Sequence, residues 1–176
     1  RREIRNKIVE KLDAYGKEFL TRQTFEGEYV DFEEPSDANG FTILNIDKIE
    51  AMISYIAERV DNLFKVKLMK MLWYSDVLDF IENGCSMSGM VYQHEPMGAL
   101  PIGHYSLMNL ENLNVKEEMS YNYDTMLHVY PTANMDYSVL DDKEKTILDK
   151  VVEKFVDYKA KDIIDYMHEE KAYIET

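Results

Sequence analysis

Cysteine is nearly absent from this sequence, since its 176 residues include only Cys85. A single cysteine excludes an internal disulfide and a zinc site built from several cysteines. Long apolar runs are missing too: no stretch approaches the roughly 18 residues that a membrane-spanning helix needs. The amino end also lacks the layout of a signal peptide. We therefore expect a cytoplasmic protein with no membrane partner.

Positive charge is scarce as well. Twenty Lys and Arg residues stand against 34 Asp and Glu residues, which gives a net charge of −14. Such a charge repels phosphate backbones, so we expect no nucleic acid to bind through these residues and favour a basic partner. The alternative, that the acidity only keeps the protein soluble, stays equally open. The chain begins with Arg1 rather than methionine, from which we expect a fragment or a processed product of a longer protein.

The short motifs of common enzymes are also missing. The sequence contains no GxxxxGK[ST], GxGxxG, GxSxG or helical HExxH pattern. His94, with Glu95 beside it, and His104 match no compact metal-ligand spacing, and no oxyanion motif surrounds Cys85. We therefore expect no catalytic residue, no metal and no cofactor. A small enzyme or metal-dependent protein that uses His94, His104 and Cys85 is the alternative.

Helical periodicity is what the sequence has in abundance. Apolar residues three or four apart predict an amphipathic helix over residues 3–20 and helices over residues 141–155 and 163–167. A long and densely apolar helix occupies the middle of the chain, and we expect Gly84 to end it in a left-handed conformation.

Two capping-box patterns predict where helices begin. Asp47 followed by Glu50 marks the start of a second helix, and Asp141 followed by Glu144 marks the start of a helix in the last third of the chain.

Three other segments break the helical pattern. Residues 24–32 predict a short hairpin or extended arm, and the acidic residues 33–40 predict a linker. Alternation over residues 118–131 predicts a small hairpin with Tyr123 near its turn. We expect a mainly α fold: a compact bundle of five or six helices with a small inserted β-hairpin or short strands, plus an N-terminal helix and arm.

The segment "GMVYQHEPMGALPIGHY", residues 89–105, concentrates glycine, proline, tyrosine and histidine. Its "MVY" predicts a short strand. Pro96 and Pro101 restrict the backbone, while Gly98 and Gly103 allow it to turn. We interpret the segment as a stiff, shaped recognition surface.

Three lysines, Lys65, Lys67 and Lys70, precede Trp73 in the central helix. We interpret them as a solvated face whose aliphatic stems cover apolar surface. Binding of phosphate or of an acidic partner is the alternative.

Asp76 lies in a densely apolar part of the same helix, where an unpaired carboxylate would be costly. We predict that it hydrogen-bonds to the backbone of the glycine-rich loop or pairs with Lys70. Such a contact would fix Tyr92 and the Pro96–Pro101 turn.

These residues also carry a family resemblance. The stretch "KVKLMKMLWYSDVLDF…NG…SGMVYQHEPMGALP" resembles the signature of the Panacea, or SocA-like, antitoxin domain, and "LDDKEKTILDKVVEKF" and "IIDYMHEEKAY" resemble its closing helices and tail. The resemblance covers about residues 46–176. Residues 1–45 then form an N-terminal helix and an extended connector from a DNA-binding module that would precede Arg1.

The resemblance singles out a set of residues for partner binding or for shaping the loop. They are Lys67, Lys70, Tyr74, Asp76, Gly89, Tyr92, Pro96, Gly98, Pro101, His168 and Glu169. Trp73, Met97 and Ala99 depart from the residues usual in the family.

The resemblance implies a non-catalytic interaction domain that binds and neutralises a co-encoded toxin, in a phage or mobile-element setting. From the charge we expect that toxin to be basic. Presentation of the toxin to a protease and formation of a homodimer both stay open. The alternative is a dimerising regulatory or phage-associated scaffold domain with no toxin partner.

Overall fold

The computed structural model describes residues 2–174, which form seven α-helices and two antiparallel hairpins. The elements are α1 (Arg2–Gly27), α2 (Ile46–Arg59), α3 (Lys65–Asn83), β1 (Tyr92–Glu95), β2 (Gly98–Pro101), α4 (His104–Met108), β3 (Asn114–Met119), β4 (Thr125–Tyr130), α5 (Asp142–Phe155), α6 (Ala160–His168) and α7 (Lys171–Ile174). The predicted mainly α fold with short inserted strands is confirmed. No helix in residues 2–174 has both the length and the apolar character to cross a membrane.

Helix α3 is the central element, in contact with α2, α5, α6, β2 and β4. Its residues 67–73 are buried on all sides, as expected for a helix enclosed by the core. From Tyr74 onward one side opens to solvent, and Phe80 and Ile81 are exposed. The helix ends at Gly84, whose φ of 86° is the predicted left-handed C-cap.

The two capping-box predictions had different outcomes. Helix α5 begins with the predicted reciprocal bonds between Asp141 and Glu144. The Asp47 prediction is wrong, because α2 begins one residue after Asn45, whose side chain accepts a hydrogen bond from the Lys48 amide. Glu50 instead accepts a hydrogen bond from Arg22 on α1 at 3.1 Å. Glu50, which the local pattern assigned to a helix cap, therefore forms a long-range ion pair instead.

The arm predicted over residues 24–32 is also wrong. Helix α1 runs through Gly27, and a 3₁₀ turn follows at Val30–Phe32. Phe25 and Tyr29 are both buried in the main core, with ring centroids 5.3 Å apart. Phe25 lies in the last turn of α1 and Tyr29 in the turn that follows, and burial of this pair explains why the helix extends past the predicted end.

The two hairpins differ in size and position. In the first, Tyr92 pairs with Pro101 and Glu95 pairs with Gly98, so the strand begins two residues later than "MVY" suggests. In the second, strands β3 and β4 pair over six residues each, from Asn114 opposite Tyr130 onward. This second hairpin confirms the prediction over residues 118–131.

Candidate functional site

The carboxylate of Asp76, on α3, is the centre of a buried hydrogen-bond network. Its Oδ1 accepts from the backbone amides of Met87 at 3.0 Å and Ser88 at 2.8 Å. Its Oδ2 accepts from the Ser88 hydroxyl and, at 2.6 Å, from the hydroxyl of Tyr92. The prediction that Asp76 fixes Tyr92 is confirmed, while the backbone amides that it binds precede the glycine-rich segment rather than lie within it. The amides belong to the two residues just before Gly89.

Burial and hydrogen bonding act in opposite directions on this carboxyl. The pKa of Asp76 is raised from 3.8 to about 6, because burial raises it by more than the donors from Ser88, Tyr92 and Met87 lower it. The four donors therefore favour the ionised form that burial disfavours. The carboxylate therefore fixes the positions of Met87, Ser88 and Tyr92, and each of its oxygens already accepts two hydrogen bonds.

Lys70 holds the other side of the same hairpin. Its side chain is 1% exposed, and Nζ donates to the carbonyl of Ala99, in β2, at 2.9 Å. Burial lowers the pKa of Lys70 from 10.5 to about 8, and the charge of Glu95 opposes that shift. Lys70 thus joins α3 to β2 by a charge-assisted hydrogen bond.

Lys67 is buried as well, 7% exposed, and donates to the carbonyl of Val156 at 2.9 Å. That carbonyl lies at the end of α5, where a positive charge is favourable. The interpretation of the lysines as a solvated face is therefore wrong for Lys67 and Lys70. Both lysines bind carbonyl oxygens inside the fold.

Two glycines allow these segments to approach one another. A Cβ on Gly89 would lie 2.5 Å from the carbonyl of Ile43, and its φ of 74° is in the left-handed region. A Cβ on Gly98, with φ of 100°, would lie 2.8 Å from both Lys70 Cε and Met167 Sδ. Neither position accepts a side chain without strain.

Met167, in α6, packs against β2 and α3. Its sulfur accepts a hydrogen bond from the Ala99 amide at 3.2 Å, and it forms a small second core with Trp73 and Ala99. Tyr74 lies against this second core and also contacts Phe155, with ring centroids 4.6 Å apart. Burial raises the pKa of Tyr74, and among the described residues its hydroxyl has no hydrogen-bond partner.

The remaining residues singled out by the resemblance lie in the first hairpin or at the end of α6. Pro101 is buried at the end of β2, whereas Pro96 is exposed in the hairpin turn. His168 and Glu169 are exposed where α6 ends, so the fold does not bring them to the Asp76 network. Within residues 2–174, no group of three or more His, Cys, Asp or Glu side chains is arranged to hold a metal ion.

A comparison with models of protein families identifies the family of this chain. The model for the antitoxin SocA-like, Panacea domain matches residues 68–173, which is more than half of the chain. The chain belongs to this Panacea family. Searches of curated proteins and of solved structures gave no match. In this Panacea domain, the network of Lys70, Asp76, Tyr92 and Gly98 faces inward and fixes the first hairpin against α3.

An apolar surface lies beside that network. Trp73, Val77 and Ile81 are four residues apart on α3 and form what we call the α3 ridge; Ile81 is 71% exposed. A groove of about 520 Å³ runs along one side, lined by Asp76 and other residues of α3, by Tyr92 and the residues just before it, and by the segment of residues 37–40. A second groove, of about 310 Å³, runs along the other side between α3, α5 and α6.

The sequence contains a signal for the ridge, namely the spacing of four between its members. The apolar density of this helix does not show which of its residues reach the surface, and the ridge was not predicted. Ser88 and Met167 were not predicted either, since their roles depend on partners distant in the chain.

Proposed function

We propose that this Panacea domain binds and neutralises a co-encoded toxin, without catalysis, through the α3 ridge and its two grooves. The observation that carries the proposal is an apolar ridge that runs from the buried Trp73 to Ile81, which is 71% exposed, with a groove on each side and a hairpin beside it that α3 and α6 hold in place. Apolar side chains in contact with solvent beside grooves are typical of interaction sites. Membership in an antitoxin family supports a toxin as the occupant.

The buried network supports the proposal by making this surface rigid. Asp76 and Tyr92 line the larger groove while they are bonded to each other. A groove whose wall is already ordered loses little conformational entropy when a partner binds. In this proposal the motif residues shape the surface, and the ridge contacts the partner.

The charges around the ridge favour a basic toxin. Asp37 borders the larger groove and Glu170 borders the smaller one. The two lysines of the smaller groove are engaged already: Lys150 pairs with Glu82 at 2.8 Å, and Lys154 lies over the ring of Tyr166. With a net charge of −14, the domain would attract a cationic partner, and salt would slow that association.

The remaining parts of the proposal concern the setting. In this proposal the domain acts in the cytoplasm and residues 1–45 connect it to a further module. Residues 46–176 carry the ridge, and Asp37, Ala38 and Gly40 complete the larger groove. Presentation of the toxin to a protease is a second version of the same role. The two versions differ in whether the toxin's half-life falls when the antitoxin is present, which pulse-chase labelling measures.

Co-purification of the chain with the product of the adjacent gene tests the proposal. Ile81→Asp should weaken binding at least tenfold and abolish rescue from toxicity, because it places a charge on the ridge. Met119→Asp is the matched control, since Met119 is 70% exposed on the second hairpin, close to the 71% of Ile81. Both variants should keep the circular dichroism spectrum of the unmodified chain.

If neither variant changes binding, the ridge is not the toxin site. If the neighbouring product neither binds nor is toxic, the alternative of a scaffold domain without a toxin replaces the proposal.

A further inference from the structure

The amino-terminal two thirds of α1 have an apolar face that nothing in the described chain covers. Ile4, Ile8, Leu12, Tyr15 and Phe19 are each more than half exposed; we call these five the α1 stripe. Every residue from 3 to 15 is exposed. At 1.5 Å per residue, residues 2–17 form a helix about 24 Å long that projects from the domain.

The other end of α1 is firmly attached. Phe25 is fully buried, and Arg22 forms ion pairs with Asp47 at 2.9 Å and Glu50 at 3.1 Å. Farther out, Glu18 accepts a hydrogen bond from Asn112 at 3.2 Å. The stripe is therefore held at a fixed direction from the domain, and a helix of this length without tertiary contacts is marginally stable in water.

The spacing within the stripe is nearly palindromic. If two copies of α1 lie antiparallel, Ile4 faces Phe19 of the second copy and Ile8 faces its Tyr15. Leu12 then faces Leu12 at the two-fold axis. Every member of the stripe gains an apolar neighbour in this one register, as an isologous interface requires.

The charges distinguish antiparallel from parallel pairing. Positions 1–17 hold six basic and three acidic residues, whereas positions 18–176 hold fourteen basic and thirty-one acidic residues. Parallel pairing would place two basic ends side by side. Antiparallel pairing places each basic end beside the acidic domain of the second copy. It also brings Lys7 near Glu18, because helical geometry puts both on the same border of the stripe.

We infer that the α1 stripe is a homodimer interface, formed by antiparallel pairing with α1 of a second copy of this chain. Five large apolar side chains from each copy then leave water together. The ridge on α3 is not part of this interface, so the inference does not depend on the toxin-binding proposal.

Sedimentation equilibrium of residues 1–176 over a range of concentrations tests the inference. We expect a mass of twice 20.7 kDa, falling towards 20.7 kDa on dilution. Leu12→Glu should weaken association at least tenfold. Asn6→Glu is the matched control, because it adds the same charge on the opposite side of the helix and should leave association unchanged. Both residues lie outside the core, so the unfolding midpoint of the domain should be the same in the two variants at concentrations where the chains are monomeric.

Disulfide trapping then reports the orientation. In a Cys85→Ser background, Ile8→Cys and Tyr15→Cys chains should cross-link with each other when mixed and only weakly with themselves. Efficient self-cross-linking of Ile8→Cys would show parallel pairing and overturn the antiparallel assignment.

Other occupants of the stripe give different results. A mass of 20.7 kDa at all concentrations overturns the inference. If that monomer binds vesicles of anionic lipid, the stripe belongs to a membrane surface. If it binds only the toxin and Leu12→Glu abolishes that binding, the stripe belongs to the toxin site.

Discussion

The two hairpins of this protein have the same local design but different means of support. Each consists of two antiparallel strands joined by a short turn. The first has four-residue strands and is fixed by side chains of α3 and α6, among them Asp76, Lys70 and Met167. The second has six-residue strands, and its tip carries Tyr121 and Tyr123, which are almost wholly exposed.

The second hairpin joins the domain at its base, through backbone contacts and through Val129, whose side chain is buried in the main core. The amide of Val129 donates to the carbonyl of Leu63 at 2.8 Å, and His128 forms a bridge with Phe64. The difference indicates that the six-residue strands are stabilised largely by the hydrogen bonds between them. The four-residue strands need side chains from distant parts of the chain as well. Substitutions should therefore have large effects at the supports of the first hairpin and small ones at the tip of the second.

The largest effect should come from Asp76→Ala. This change leaves two buried amides and two hydroxyls without their acceptor, and we expect the free energy of unfolding to fall by about 2 to 4 kcal/mol. Urea denaturation measures it. Asp79→Ala is the control. Asp79 is also a buried aspartate of α3, but it accepts a hydrogen bond from Asn83, an exposed residue at the end of the same helix. Equal losses in the two variants would show that Asp76 has no special role in support.

Tyr92→Phe should have a pH-dependent effect. The folded-state pKa of Asp76, about 6, lies above its ordinary 3.8, so this group's contribution to stability is greatest below pH 4 and is lost as the pH rises through 6. Removing the tyrosine hydroxyl takes one donor from the ionised form and raises the pKa of Asp76 further. We expect a loss of about 2 kcal/mol at pH 8 and a smaller loss at pH 5. Unfolding curves at both pH values would refute this account if the losses were equal.

Gly98→Ala should cost about 1 to 2 kcal/mol, because a side chain is strained at a φ of 100°. The atoms that the new Cβ would approach are the ends of Lys70 and Met167, which can shift by rotation. Gly16→Ala is the contrasting control, since no atom lies within 4 Å of its Cβ position and it lies within α1. That control should not destabilise the chain, and destabilisation there would point to a backbone requirement in α1.

The smallest effect should come from Tyr121→Ala at the tip of the second hairpin. Its side chain is fully exposed, so its removal uncovers nothing, and the midpoint of thermal unfolding should stay unchanged. A measurable fall would show that Tyr121 makes stabilising contacts within the chain and would contradict its role as an unsupported tip residue.

Much of the fold could be predicted from local pattern. The alternation of β3 and β4, the Asp141–Glu144 capping box and the stop at Gly84 are each specified within a few residues, and each is confirmed. The partner of Asp76 was predictable for a different reason. A buried carboxylate needs donors, and the glycine-rich segment was the nearest source of free amides.

The rest depends on residues far apart in the sequence. The carbonyls that bind Lys70 and Lys67 lie 29 and 89 positions away in the sequence. Local pattern contains no sign of these partners, and it therefore predicted a solvated face for both lysines. The aromatic pair Phe25 and Tyr29 was read as part of an arm, because its helical spacing gains meaning only when the core receives both rings. The ridge on α3 was missed because a spacing of four does not say which side of a helix is covered.

The contact between Met167 and Ala99 has a consequence for biosynthesis. The two residues are 68 positions apart, so the first hairpin leaves the ribosome well before the helix that supports it. At about 5 to 20 residues per second, that interval lasts from a few seconds to more than ten. During this time the Ala99 amide lacks its sulfur acceptor, and the smaller groove lacks the wall that Tyr166 and Glu170 provide. The nascent chain thus acquires its finished surface only near the end of translation, whereas α2 and most of α3 can pair much earlier.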